Sequence, residues 1–101
     1  MSAASFLGLS ELGRDPYIRA LKEAAADTRM GSLYLVGGYL RDLLLGRTRA
    51  IRIDLDLVIW GDPQPFGRAV AGAFGGTLLV LDPETVRVLG RREGMPVRID
   101  I

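Results

Sequence analysis

The chain of 101 residues contains no cysteine and no histidine, and only one lysine, Lys22. Without cysteine there is no disulfide, no thiolate zinc site and no cysteine nucleophile. Without histidine there is no Ser-His-Asp triad, no imidazole metal ligand and no histidine general base. Carboxylates are the strong metal ligands that remain, and they favour hard ions such as Mg²⁺ over zinc. A net charge of +1 supplies no global field to attract nucleic acid. No apolar run approaches the roughly 20 residues of a membrane span. Met1 to Ser10 has no basic start of the kind a signal peptide carries. The expectation is a soluble cytoplasmic protein with no membrane partner.

The length suits one domain, and an apolar share of 49% is enough for a modest core. Residues 1–13 read as a loose, small and polar segment, with one domain over 14–101. Asp15-Pro16 is a helix start, Asp as N-cap and Pro at the first helical position, and Tyr17, Ile18, Leu21, Ala24 and Ala25 follow at helical spacing up to Gly31. Leu33–Val36 is a short strand broken by Gly37-Gly38. Tyr39–Leu45 is a short helix closed by Gly46. Ile53–Trp60 is a second strand, Gly61-Asp62-Pro63 a turn, and Gln64–Phe74 a helix weakened by Gly67 and Gly72. Strands at Thr77–Leu81, Val86–Leu89 and Val97–Ile101 follow, separated by turns at Asp82–Thr85 and Arg91–Gly94. The order α-β-α-β-α-β-β-β predicts an α+β fold, a small mixed sheet of about five strands with helices packed on it.

The second strand carries the chemistry. Ile53, Leu55, Leu57 and Ile59 alternate with Asp54, Asp56 and Val58, so both carboxylates share one face, roughly 6.5–7 Å apart along the strand. Such a pair can converge on divalent ions in phosphoryl-type transfer; it also arises by chance on solvated strands. Gly37-Gly38 lets backbone N–H groups approach phosphate oxygens, and Arg41 on the next helical turn reaches the same anion. A tight turn with a solvent-facing Arg reads equally well for that feature alone. Asp100 lies opposite Val97, Ile99 and Ile101 on the last strand. If that strand neighbours Ile53–Trp60, Asp100 faces Asp54 and Asp56; otherwise it pairs with Arg98 or Arg52. Arginines cluster at Arg41, Arg47, Arg49 and Arg52 and again at Arg91, Arg92 and Arg98. Tyr39 and Trp60 are expected to pack against the sheet rather than to stack on a base.

Taken jointly, Gly37-Gly38-Tyr39-Leu40-Arg41-Asp42, Leu44-Leu45-Gly46 and Asp54-Leu55-Asp56 resemble the head domain of the bacterial class II tRNA nucleotidyltransferase (CCA-adding) and poly(A) polymerase family, in the DNA polymerase β-like superfamily. The resemblance runs from about Leu33 to Ile101, with Asp100 where the family has its third carboxylate. It implies a polymerase-β-like nucleotidyltransferase head using Mg²⁺. Asp54 and Asp56 would bind the metal, Asp54, Asp56 and Asp100 would be catalytic, and Gly37, Gly38 and Arg41 would contact a nucleoside triphosphate such as ATP or CTP. The acceptor would be an RNA 3′ end, tRNA in the full enzyme. The family's Arg-Arg-Asp segment, base-selecting neck, and body and tail domains have no counterpart in these residues. The chain therefore reads as a piece of something longer, able to hold a triphosphate weakly and unable to choose a base. Two other readings compete. One is a stand-alone minimal nucleotidyltransferase acting on a protein or small molecule, which the Gly-Gly and Leu-Leu-Gly features oppose. The other is a non-catalytic dimerisation module self-associating through an exposed C-terminal strand.

Overall fold

The structure, a computed structural model, describes residues 14–28, 33–44 and 51–101. The expected loose segment 1–13, the helix stop at Gly31, the Gly46 cap, Arg47 and Arg49 lie outside the described residues. Among the described residues, three helices, α1 (Pro16–Asp27), α2 (Gly38–Leu44) and α3 (Pro63–Ala73), join five strands: β1 (Leu33–Val36), β2 (Ile53–Ile59), β3 (Thr77–Asp82), β4 (Thr85–Arg92) and β5 (Met95–Asp100). The predicted α+β fold and its order of elements are borne out.

The two longer helices begin by the same device. Asp15 Oδ1 accepts from the Tyr17 and Ile18 N–H groups at 2.8 and 3.0 Å, ahead of Pro16. Asp62 Oδ1 accepts from the Gln64 N–H at 3.0 Å, ahead of Pro63. The second Asp-Pro, expected to be a turn, is therefore a helix start, with the side chain satisfying an orphan amide. Gly67 does not merely weaken α3. A Cβ there would come within 2.8 Å of Leu78 Cδ1, so its absence lets the helix sit close on the sheet.

Strand order is β1-β2-β5-β4-β3. The β2–β5 pair is parallel and the others are antiparallel. The chain's last strand is thus interior, hydrogen-bonded on both sides. This corrects the exposed C-terminal strand expected above: among the described strands, the edges of the sheet are β1 and β3. The β4–β5 hairpin turns on only Glu93 and Gly94, both at positive φ, a tighter turn than Arg91–Gly94.

Alternation splits the sheet into two faces. Ile53, Leu55, Leu57, Val88, Val97 and Ile99 are buried with Ile18, Leu21 and Ala24 of α1 and with Phe66, Val70 and Phe74 of and after α3, and Val86 is buried as well. No polar or charged residue is buried among the described residues. No described helix is long and apolar enough to cross a membrane. Trp60 is 74% exposed, against the expectation that it packs on the sheet: pairing of β2 ends at Ile59, opposite Leu33, and leaves the indole beyond the sheet. Tyr39 does pack, edge-to-face on Tyr17, and its hydroxyl donates to Asp15 Oδ2. Burial, then that hydrogen bond, pushes the Tyr39 phenol well above its ordinary range.

Candidate active site on the open face of the sheet

Among the described residues, the second face carries no helix-packed core. Register builds it as rows across the strands. Val36, Asp56, Asp100, Arg87 and Leu79 form one row through all five strands. Asp54, Arg98, Leu89 and Thr77 form the next, on four. Asp56 and Asp100 therefore stand abreast on neighbouring parallel strands, whose spacing is about 4.8 Å. Of the two arrangements open in the sequence, the last strand does neighbour β2.

Each carboxylate has a different environment. Asp54 is gripped by Arg52, with Nε to Oδ1 at 2.9 Å and Nη2 to Oδ2 at 3.2 Å, and Arg98 Nε lies 3.3 Å from Oδ1. Asp100 is held by Arg87, with Nε to Oδ1 at 2.7 Å and Nη2 to Oδ2 at 3.2 Å. The bond to Asp100 holds the Arg87 guanidinium even more firmly protonated than usual, and the charges of Asp100, Asp54 and Asp56 add to this. Asp56 is exposed and makes no side-chain hydrogen bond or ion pair among the described residues. What it meets is Gly37. That residue has φ +82°, and a Cβ on it would lie 3.0 Å from Asp56 Oδ2. Glycine thus serves twice at this point, permitting the left-handed backbone and clearing the space beside the carboxylate.

Arg41 extends from α2 with its side chain 67% exposed, its Nε 3.6 Å from Asp42 Oδ1. One of its terminal nitrogens lies 3.4 Å from where a Cβ on Gly38 would sit, so the guanidinium bends back toward the glycine turn. Its own amide donates to the Gly37 carbonyl at 3.2 Å. The second arginine group divides. Arg98 belongs to the site, whereas Arg92 donates to the Ala73 carbonyl at the end of α3 and lies over the Phe74 ring. Arg91 donates to the Gly94 carbonyl in the hairpin turn.

Two groupings follow. Asp54, Asp56 and Asp100 share one face, one of the two arrangements the sequence left open, with Gly37 beside Asp56 and with Arg87, neither of which the sequence had placed there. Arg41 and Gly38 form a separate feature on the first turn of α2. Among the described residues no three acidic side chains converge as a closed set of ligands for one ion. The donor set nevertheless suits Mg²⁺, which is usually held by one or two carboxylates with substrate phosphates rather than by an all-protein cage. Asp56 with the clearing at Gly37, and Asp54 one pleat away, meet that description.

Comparison with known proteins points to one family. Residues 33–95 match the family described as the Poly A polymerase head domain, a stretch that includes Gly37, Gly38, Arg41, Asp54, Asp56 and Arg87 and stops short of Asp100. A 66-residue stretch is 44% identical to an A-adding tRNA nucleotidyltransferase of Halalkalibacterium halodurans, covering 65% of this chain and 14% of that protein. The matched region is thus a small part of the relative's length. With its glycine turn, its two strands of carboxylates and a family match over most of its residues, this chain belongs to the poly A polymerase head-domain family of nucleotidyltransferases.

Proposed function

We propose that this chain is the metal- and triphosphate-holding part of an enzyme that adds nucleotides to an RNA 3′ end, tRNA being the favoured acceptor. The observation that carries the reading is the alignment of Asp56 and Asp100 abreast, with Asp54 on the same face and Gly37 cleared beside Asp56. The A-adding activity of the relative supports an RNA acceptor.

In this reading Asp54 and Asp56 hold Mg²⁺, and Asp54 turns from Arg52 and Arg98 to do so. The ion, when bound, neutralises charge on the phosphates. Backbone N–H groups at Gly37 and Gly38 and the Arg41 guanidinium hold the triphosphate oxygens. Asp100 orients the attacking 3′-hydroxyl and takes its proton. The hydroxyl oxygen bonds to the α-phosphorus in line with the leaving oxygen, and pyrophosphate departs with the bonding electron pair. No residue of the described face is placed to read a base, so triphosphate binding by this chain is weak and indifferent to base.

Titration of the chain with ATP and with CTP, with and without Mg²⁺, tests the reading. Metal-dependent binding of both, lost in Asp54→Ala, is expected. Binding that ignores the metal or the substitution refutes it.

A further inference from the structure

Of the three aspartates, Asp100 is the most firmly held. Arg87 occupies both of its oxygens, and the two side chains are only 33% and 28% exposed. Backbone register fixes the pair, because Arg87 is the cross-strand partner of Asp100. Val86 and Val88, on either side of Arg87, are fully buried and pin its strand. The contrast is Arg52, which reaches Asp54 from the connector before β2 and is half exposed. Position along the row matters as well. Like charges directly abreast on a sheet destabilise each other, and Asp56 and Asp100 are abreast. Arg87 is the one cation in that row, next to Asp100 and in front of Leu79. A lysine there would supply charge without engaging both oxygens in the same planar fork.

Resting on the function proposed above, we infer that Arg87 is a positioning residue and the built-in counter-charge of the carboxylate row. It fixes both oxygens of Asp100 and weakens the row's pull on a free divalent cation. The site then holds a metal ion firmly only when a triphosphate brings its own negative charge. Metal and nucleotide are thereby made to arrive together.

The test is a Mn²⁺ titration of the 101-residue chain without nucleotide, free Mn²⁺ being followed by electron paramagnetic resonance. Removing one positive charge some 5–8 Å from a divalent ion should tighten binding about three- to tenfold, so Arg87→Met is expected to do so. Arg87→Gln, which keeps a hydrogen-bonding group and loses the charge, should behave alike and serves if the methionine variant fails to fold. Arg87→Lys should stay within about twofold of the parent. Arg91→Met removes an equal charge from the same strand at the hairpin turn and should change nothing. Unchanged or weaker Mn²⁺ binding in both neutral variants overturns the inference, as does an equal effect from Arg91→Met. If the parent binds no Mn²⁺ even with ATP, the proposed function itself fails. If it binds Mn²⁺ with ATP and the Arg87 variants match it without nucleotide, only the role of Arg87 is lost.

Discussion

One strand, β2, serves two faces that follow opposite rules. Toward the helices it presents Ile53, Leu55 and Leu57, all buried in a core that, among the described residues, holds no polar side chain. Toward the open side it presents Asp54, Asp56 and Val58, with Asp54 half-buried and the other two exposed. The core face holds by area and fit, which are insensitive to charge. The open face holds by balance, three carboxylates against three arginines, and one carboxylate, Asp56, is left without a direct partner among the described residues. The lesson is that stability and chemistry in this domain can be altered one residue apart.

The largest effect should come from the core face. Leu55→Ala removes a fully buried side chain and should cost about 2–5 kcal/mol, read from denaturant melts. On the open face, Asp56→Asn one residue on should leave stability within about 0.5 kcal/mol, because it also removes the repulsion with Asp100. The same variant should lose metal-dependent ATP binding by about tenfold or more, some 1.4 kcal/mol. If Asp56→Asn destabilised the fold as Leu55→Ala does, the division between the faces would be wrong. Gly37→Ala links backbone and site. It should cost roughly 1–2 kcal/mol for a left-handed residue with a Cβ and should weaken ATP binding as well, since the Cβ would press on Asp56 Oδ2.

A smaller effect lies at the junction of α1 and α2. Tyr39→Phe removes the hydroxyl that donates to Asp15 and should cost about 1 kcal/mol. In the parent the folded phenol titrates above the unfolded one, whose ordinary value is 10.0. Its contribution is therefore complete below about pH 10 and falls as the pH rises further, because the unfolded chain loses the proton first. Thermal melts of parent and variant should converge on that alkaline side. The smallest effect is Arg52→Ala. Its pair with Asp54 is exposed on both sides, and its loss should change stability by no more than about 0.5 kcal/mol.

Much of this was readable in the sequence, and the failures share one cause. The period-two pattern of Ile53–Ile59 placed Asp54 and Asp56 on one face, and Asp15-Pro16 marked a helix start; both are local signals. Arg87 was missed because its partner depends on register. Its place between Val86 and Val88 marks it as outward-facing. With the turn taken as Arg91–Gly94, however, counting back along the hairpin pairs it with Arg98. With the turn at Glu93-Gly94 alone, Arg92 faces Met95 and the same count brings Arg87 to Asp100. A slip of two residues keeps the face and changes the partner. The interior position of β5 was hidden for a similar reason, since its parallel pairing with β2 spans a helix and a hairpin that no local pattern encodes.

That interior position has a consequence for how the domain comes into being. Among the described strands, the β1–β2 and β3–β4 halves of the sheet are not hydrogen-bonded to each other; β5 joins them, and it is made after all four. Until it inserts, the nascent chain is two separate ribbons, and Asp56 has no Asp100 beside it. Pairings so distant in sequence form slowly, so closure of the sheet should be the late step in folding. The same event that unites the two halves also brings Asp100 beside Asp56. A chain in which β5 has not yet paired has Gly37 beside Asp56 but lacks the full row of carboxylates.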